Sequence, residues 1–341
     1  MKCYTVDGTG LDGLRLEERP DAGAPGPGEV RVDVASVSLN YRDLLVAKGL
    51  YGGTEDPPII AVSDMAGVVV EIGVDVTEFE AGDRVLNSPF RFWPAGKLRS
   101  AWARTFVAGT GVDGVLAEQI VYPGPALVKL PDHMDFREGS TLPIAGLTAW
   151  SALVTNGQTK PGDWALLHGT GGVSIFAAQL ARIFHVKTIL TTSNPEKAHR
   201  VKAEFGVHET LDYNDNGWPE QAREITGGRG VDVVVDVAGG RTLPNSIRAC
   251  ASGGRVALIG LLAGVESTFS AVDVIMRQIR IQGIKMESTE KLHAFVQTCD
   301  AAQLRPCIDR VFPFDQARQA YDYLESQQHM GKVVIDVKRR T

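Results

Sequence analysis

The stretch Asp163-Trp-Ala-Leu-Leu-His-Gly-Thr-Gly-Gly-Val-Ser174 holds the residues best suited to gripping a phosphate. Gly169 permits a sharp bend and Gly171 lets the backbone approach a diphosphate. Thr170, Gly172, Val173 and Ser174 then lead into a helix whose first N–H groups and positive dipole end attract an anion. The third position of the G-x-G-x-x-G spacing is Ser174 rather than Gly, and the pattern alone is also that of a plain glycine-rich turn between a strand and a helix. About 20 residues further on, where a carboxylate would bind a ribose 2′-hydroxyl, the chain reads Thr192-Ser193-Asn194-Pro195, and Lys197 and Arg200 follow. No acid precedes Glu196. Ser193, Asn194 and Lys197 offer a hydroxyl, an amide and a cation, which suit a 2′-phosphate, so NADPH is expected over NADH. The alternative is that the two cations are only the solvated face of a helix.

The elements that must carry this turn follow from periodicity. Trp164–His168 is a short apolar run, and Val173, Phe176, Ala177, Leu180 and Phe184 recur at helical spacing after it. Strands are expected around Leu166, Ile189 and Thr210, at Val231–Asp236 and at Gly254–Gly260, with helices between them: a doubly wound parallel sheet of the Rossmann type. An alternating Ile/Arg/Ile strand within Val274–Lys285 would close the sheet and leave an edge for a second copy, giving a homodimer. Before residue 130 the pattern differs: short β-branched runs separated by Gly and Pro predict a barrel-like β domain. Residues 87–112 read as a long loop with a short helix, where Phe90, Trp93 and Trp102 either line a pocket or pack the loop down. Residues 131–157 read as a helical connector. Two amphipathic helices and a strand at Gly331–Asp336 finish the chain.

Composition narrows the class. With 341 residues, a net charge of −6, 22% charged and 44% hydrophobic residues, the chain suits a two-domain enzyme and gives no basic surface for nucleic acid. No stretch approaches the roughly 18 apolar residues of a membrane span, and residues 1–8 lack a signal-like apolar segment, so a cytoplasmic protein is expected. Cys3, Cys250, Cys299 and Cys307 are scattered without metal-binding spacing.

The motifs Ser38-Leu-Asn-Tyr-Arg-Asp43, Ser63-Asp-Met-Ala-Gly67, Ala81-Gly-Asp-Arg-Val85, Leu142-Pro-Ile-Ala-Gly-Leu-Thr-Ala-Trp150 and Gly331-Lys-Val-Val334 accompany the glycine turn in order. On them the chain resembles the medium-chain dehydrogenase/reductase superfamily along essentially its whole length, nearest its zinc-independent quinone oxidoreductase and ζ-crystallin-like branch. The resemblance implies a GroES-like catalytic domain over residues 1–130, a Rossmann cofactor domain over 131–287, and a segment 288–341 that returns to the catalytic domain. It places Ser193, Lys197 and Tyr213 near the adenine-side phosphate, and Thr148 and Gly260 near the nicotinamide. Tyr213 equally suits a surface aromatic, and Lys332 is expected near the domain junction.

Zinc relatives hold their metal through a Cys, a His-Glu pair and a later Cys. The resemblance puts Asn40, Ser63-Asp64 and Ile144 there, which cannot make the tetrahedral N/S site zinc prefers, so no metal is expected. Arg42 stands where those relatives relay a proton through a hydroxyl. Without a Lewis acid, the reaction expected is hydride transfer from NADPH to a small quinone, with Asn40 bonding the substrate carbonyl and Tyr41 and Tyr51 as proton donors or ring walls. Asp43, Asp64 and His168 are expected to be structural. A reductase of enals, enones or acyl-CoA thioesters is the second enzyme reading, with Arg91, Lys97, Arg99 and Arg104 offered to the CoA. A non-catalytic NADPH-binding sensor or structural protein is the third.

Overall fold

Alternation sets the first sheet. Along Glu29–Leu39 the side chains of Val30, Val32 and Val34 are buried between half-buried neighbours, and from Ser36 to Leu39 every residue is buried. That is a strand with one face inside at its start and both covered at its end. The computed structural model describes residues 1–337 other than Glu55 and Thr110. The chain divides into two units, Met1–Leu147 with Glu287–Thr341, and Thr148–Met286.

In the first unit Glu29–Leu39 is central to a sheet ordered Ile308–Pro313, Lys332–Asp336, Glu29–Leu39, Asp64–Ile72, Arg84–Asn87, Leu127–Lys129. Gln119–Pro123 also pairs with Glu29–Leu39. The C-terminal strand therefore closes a sheet begun three hundred positions earlier, antiparallel with Val333 opposite Leu39 and Val334 opposite Ser38. This register brings Lys332 beside Asn40. A smaller sheet, Arg15–Glu18, Lys2–Val6 and Ile59–Ile60, was not apparent from the sequence pattern.

The unit boundary falls at Leu147 rather than at residue 131. The helix Phe136–Ser140 belongs to the first unit because Arg137 pairs with Asp336 and the Ser38 hydroxyl donates to the Ser140 carbonyl at 2.9 Å.

The second unit is a parallel sheet ordered Glu209–Leu211, Lys187–Thr191, Trp164–His168, Val231–Asp236, Cys250–Leu258, Arg280–Gly283. Chain order reverses direction between Trp164–His168 and Val231–Asp236, so the crevice at their C-terminal ends is the ligand position of such sheets. Helices Gly172–Ile183, Pro195–Phe205, Trp218–Ile225 and Leu243–Ala249 connect the strands. The strand expected within Val274–Lys285 is shorter: Ala271–Arg277 is a helix, capped by the Ser270 hydroxyl on the Asp273 amide at 3.4 Å, and only Arg280–Gly283 joins the sheet. The alternating Ile/Arg/Ile signal is real but covers only that last piece. Among the described residues no helix is long and apolar enough to cross a membrane, and none of the four cysteines is in a disulfide.

Candidate functional site

In the second unit the glycine turn is built for an anion. Gly169 sits at φ 71, a left-handed conformation costly to any side chain. A Cβ at Gly169 or Gly171 would meet nothing within 4 Å, so open space lies over both. Gly171 begins helix Gly172–Ile183, and no side chain caps its first amides. An uncapped helix end beside open glycines fits a dinucleotide diphosphate. The Ser174 hydroxyl does not take part: it is buried and donates to the His168 carbonyl at 2.6 Å, tying helix to strand. Thr170 is buried and Val173 half-buried.

Beneath the turn lies a buried polar chain. Asp236 accepts from the amides of Ala238 and Gly239 at 3.0 and 2.8 Å and from the Ser246 hydroxyl at 2.8 Å. Since that hydroxyl's proton points at the carboxylate, His168 Nε2 must donate to Ser246 at 2.9 Å, and Nδ1 accepts from Thr191 at 3.0 Å. Burial pushes the His168 pKa below that of a free histidine, so the ring is held neutral. The chain ties together the ends of three adjacent strands, the structural role expected of His168.

At the end of Lys187–Thr191 the Ser193 hydroxyl donates to the Tyr213 hydroxyl at 2.7 Å, and both residues are exposed. Asn194 is the N-cap of helix Pro195–Phe205, its side chain accepting from the Lys197 amide at 3.0 Å. Its carboxamide oxygen is thus taken up by the helix, and only its Nδ2–H groups could serve a phosphate. Lys197 lies in the helix's first turn, while Arg200 pairs with Glu204 at 2.9 Å. Thr148 is buried at the start of this unit. Gly260 is required by packing: a Cβ there would lie 1.8 Å from the Val237 carbonyl oxygen.

In the first unit Asn40 begins helix Tyr41–Ala47, and its amide donates to Asp43 Oδ2 at 2.8 Å. Its side chain is held from both ends: Oδ1 accepts from Lys332 Nζ at 2.6 Å, and Nδ2 donates to Asp64 Oδ2 at 2.8 Å. Lys332 also donates to the Leu39 carbonyl at 2.6 Å, and Asp64 Oδ2 also accepts from the Ile144 amide at 3.2 Å. Asp64 Oδ1 is buried with no partner among the described residues. Burial pushes the Asp64 carboxyl up to about 7 against the pull of Lys332, and pushes Lys332 down to about 8 against the pull of Asp64 and Asp43. The sequence signal for this pair was an ionisable residue heading each of two strands whose next residues are apolar or Gly.

A second layer holds Asp43. Ser63 donates to Asp43 Oδ1 at 2.7 Å, and Arg42 donates to Ser63 at 2.5 Å and to the Ala108 carbonyl at 2.8 Å. The Arg42 guanidinium stacks 3.8 Å from the Phe106 ring centre and 5.1 Å from that of Tyr51. Tyr51 thus neighbours the Asn40 layer through Arg42, whereas Tyr41 is exposed. In the long loop, Phe90 and Trp93 are buried, with ring centres 5.1 Å apart, and Phe106 lies 4.7 Å from Phe90. Of the two roles open to them, Phe90 and Trp93 take packing. Arg91 stacks on Tyr122 at 4.9 Å and Arg99 on Trp102 at 4.6 Å, so two of the four cations offered to a CoA are engaged with rings of their own unit.

Residues 26–132 match the family model described as the alcohol dehydrogenase GroES-like domain, and residues 172–301 that described as zinc-binding dehydrogenase. A zinc-type alcohol dehydrogenase-like protein of Schizosaccharomyces pombe is 37% identical, covering 96% of each chain. A quinone oxidoreductase of Rattus norvegicus is 27% identical over 96% of this chain and 94% of its own. Among solved structures, an NAD-dependent alcohol dehydrogenase superposes with a TM-score of 0.90 at 32% identity, covering 99% of this chain and 100% of its own. A 2-haloacrylate reductase superposes with a TM-score of 0.80 at 28% identity and the same coverage.

The zinc implied by two of these descriptions does not fit the residues present. Ile144 offers no donor atom, Ser63 donates to Asp43, and the Asn40 oxygen already faces an ammonium at 2.6 Å. No thiolate or imidazole stands among them, and among the described residues no group of three or more His, Cys, Asp or Glu side chains is placed to hold a metal.

Proposed function

The chain belongs to the medium-chain dehydrogenase/reductase superfamily, in its quinone oxidoreductase-like branch, and from that premise we propose that it is an NADPH-dependent, metal-free reductase of small quinones. One observation carries the reading: the Asn40 centre holds a lysine-bound carboxamide where a Lewis acid would need thiolates or imidazoles. Alcohol oxidation needs a group that lowers the hydroxyl pKa, and the ammonium at this centre is committed to the Asn40 oxygen and the Leu39 carbonyl. A quinone supplies its own electrophilicity.

NADPH, when bound, supplies the hydride. The protein's part is orientation and charge. The glycine turn and the uncapped helix end take the diphosphate, and the Ser193–Tyr213 hydroxyl pair with Lys197 takes the 2′-phosphate, with no carboxylate in Thr192–Pro195 to oppose it. Asn40 donates an N–H to the substrate carbonyl oxygen as negative charge grows there. Tyr51, beside Arg42, is the proton donor or ring wall on the same unit.

A second reading, reduction of an activated carbon–carbon double bond next to a carbonyl, is favoured by the likeness to the 2-haloacrylate reductase. Both use the same centre. The Arg280–Gly283 edge strand and the exposed side chains of Val272, Ile275 and Met276 on the helix before it support a homodimer. We place the protein in the cytoplasm, where its thiols stay reduced. The deciding experiment is anaerobic NADPH oxidation in chelator with an ortho-quinone, a para-quinone and an unsaturated aldehyde. Fast quinone turnover supports the first reading, turnover of the aldehyde alone supports the second, and NADPH binding without turnover of any acceptor overturns both.

A further inference from the structure

Three hydrogen-bonding facts at Asn40 have no account in the reading above. Lys332 is only 3% exposed, yet it is aimed at a neutral amide rather than a carboxylate, and it makes no ion pair within 4.0 Å among the described residues. Asp64 is fully buried with one oxygen on Asn40 and the Ile144 amide and the other without a partner among the described residues. The Asn40 backbone is fixed separately, by Asp43. A network built for stability alone would bring the ammonium and the carboxylate together and satisfy both oxygens. Here cation and anion meet through the carboxamide between them.

We infer that Lys332 and Asp64 are positioning residues that clamp the Asn40 carboxamide from opposite ends, leaving one Nδ2–H aimed at the substrate carbonyl oxygen. An ammonium cannot accept, and Asp64 Oδ2 is already an acceptor for the Ile144 amide, so the orientation of the amide is decided by chemistry: Oδ1 toward Lys332, Nδ2 toward Asp64. Of the two Nδ2 protons, Asp64 takes one and one remains. A cation on the carbonyl end also draws electron density from the nitrogen and makes that remaining N–H a stronger donor. The other charges around the group are accounted for: Asp43 holds the Asn40 backbone and the Ser63 hydroxyl, and Arg42 holds Ser63 and the Ala108 carbonyl. The inference rests on Asn40 being the carbonyl donor proposed above.

The test is a double-mutant cycle in steady-state kinetics, with NADPH and a para-quinone, on Asn40→Ala, Lys332→Met and the pair. If Lys332 acts through Asn40, each single variant loses about 100-fold in kcat, the scale of one lost oxyanion donor, with KM for NADPH unchanged. The pair is then no worse than Asn40→Ala. Lys332→Arg, which keeps the charge, should recover part of the loss. Multiplying losses, or full kcat in Lys332→Met, would overturn the clamp; full kcat in Asn40→Ala would overturn the donor role itself, and the clamp with it. Should Lys332→Met fail to fold, Asp64→Asn, which keeps an acceptor for Asn40 but removes the charge, takes its place in the cycle. A readout without turnover is the side-chain amide resonance of Asn40, assigned by its loss in Asn40→Ala. Its two protons should be well separated in the wild type and move together in Lys332→Met, and overlap in the wild type overturns the proposal.

Discussion

Replacing Lys197 by alanine tests the cofactor reading with the fewest side effects. Its backbone amide, not its side chain, makes the N-cap bond to Asn194 at 3.0 Å, so the cap survives the change. A hydrogen bond from a cation to a phosphate in a partly exposed site is worth about 1.5–3 kcal/mol, which is roughly 10- to 150-fold in Kd. NADH has no 2′-phosphate and should bind the variant as it binds the wild type. The neighbours act as controls. Arg200 is occupied by Glu204 at 2.9 Å, so Arg200→Ala should alter NADPH binding by less than about 3-fold, the scale of an exposed pair. Asn194→Ala should lower stability by about 1 kcal/mol through the lost cap without favouring either dinucleotide. Ser193→Asp, which puts a carboxylate where a ribose diol would be bound and breaks the 2.7 Å hydroxyl pair with Tyr213, should weaken NADPH and strengthen NADH. Fluorescence titration or calorimetry with both dinucleotides reads all four variants. Equal weakening of NADPH and NADH by Lys197→Ala, or a wild-type preference for NADH, would refute the reasoning.

The neutral His168 gives a pH signature. In the unfolded chain the ring takes up a proton below about 6.5, while the folded state resists it, so stability is intact above that pH and declines below it by at most about 1.4 kcal/mol per unit. His168→Gln should flatten that acid-side loss in calorimetric unfolding between pH 7.5 and 5.5, and an unchanged slope would count against it. Gly260→Ala drives a Cβ to 1.8 Å from a backbone oxygen and should cost about 3 kcal/mol, whereas Gly169→Ala meets open space and should cost only its backbone strain, about 1–2 kcal/mol; thermal midpoints should rank them in that order. Ile275→Glu, at a side chain 69% exposed, should convert a dimer to a monomer in light scattering, and a wild-type monomer would remove the dimer from the reading.

The parallel sheet was legible in the sequence because its signals are local. A strand, a glycine turn and a helix lie within twenty residues of one another. The Ala271–Arg277 helix was missed although Val272, Ile275 and Met276 recur at helical spacing, because the Ile/Arg/Ile alternation after it was read back into it. The N-cap role of Asn194 was not read from the sequence, where the amide before Pro195 was weighed only as a phosphate contact; the 3.0 Å bond from the Lys197 amide shows it. The division at Leu147 depends on where Arg137 finds its partner, which is Asp336. Asn40 was singled out by resemblance, yet its partners lie 24 and 292 positions away. Nothing in the composition of Gly331-Lys-Val-Val334 says which strand it joins. Register, set by the pairing of Val333 with Leu39, turns an unremarkable lysine into a neighbour of the centre.

That pairing has a consequence for the newborn chain. Synthesis proceeds from the N-terminus at about 5–20 residues per second, and contiguous domains generally fold as units when they emerge. The Thr148–Met286 unit is contiguous and waits for nothing downstream. The sheet around Glu29–Leu39 lacks Lys332–Asp336 until synthesis has passed Asp336. For that interval Ser36–Leu39 is a bare sheet edge, open to whatever extended segment or chaperone reaches it first. A ribosome stalled before codon 332 would therefore carry a finished cofactor half and an asparagine with no ammonium to face.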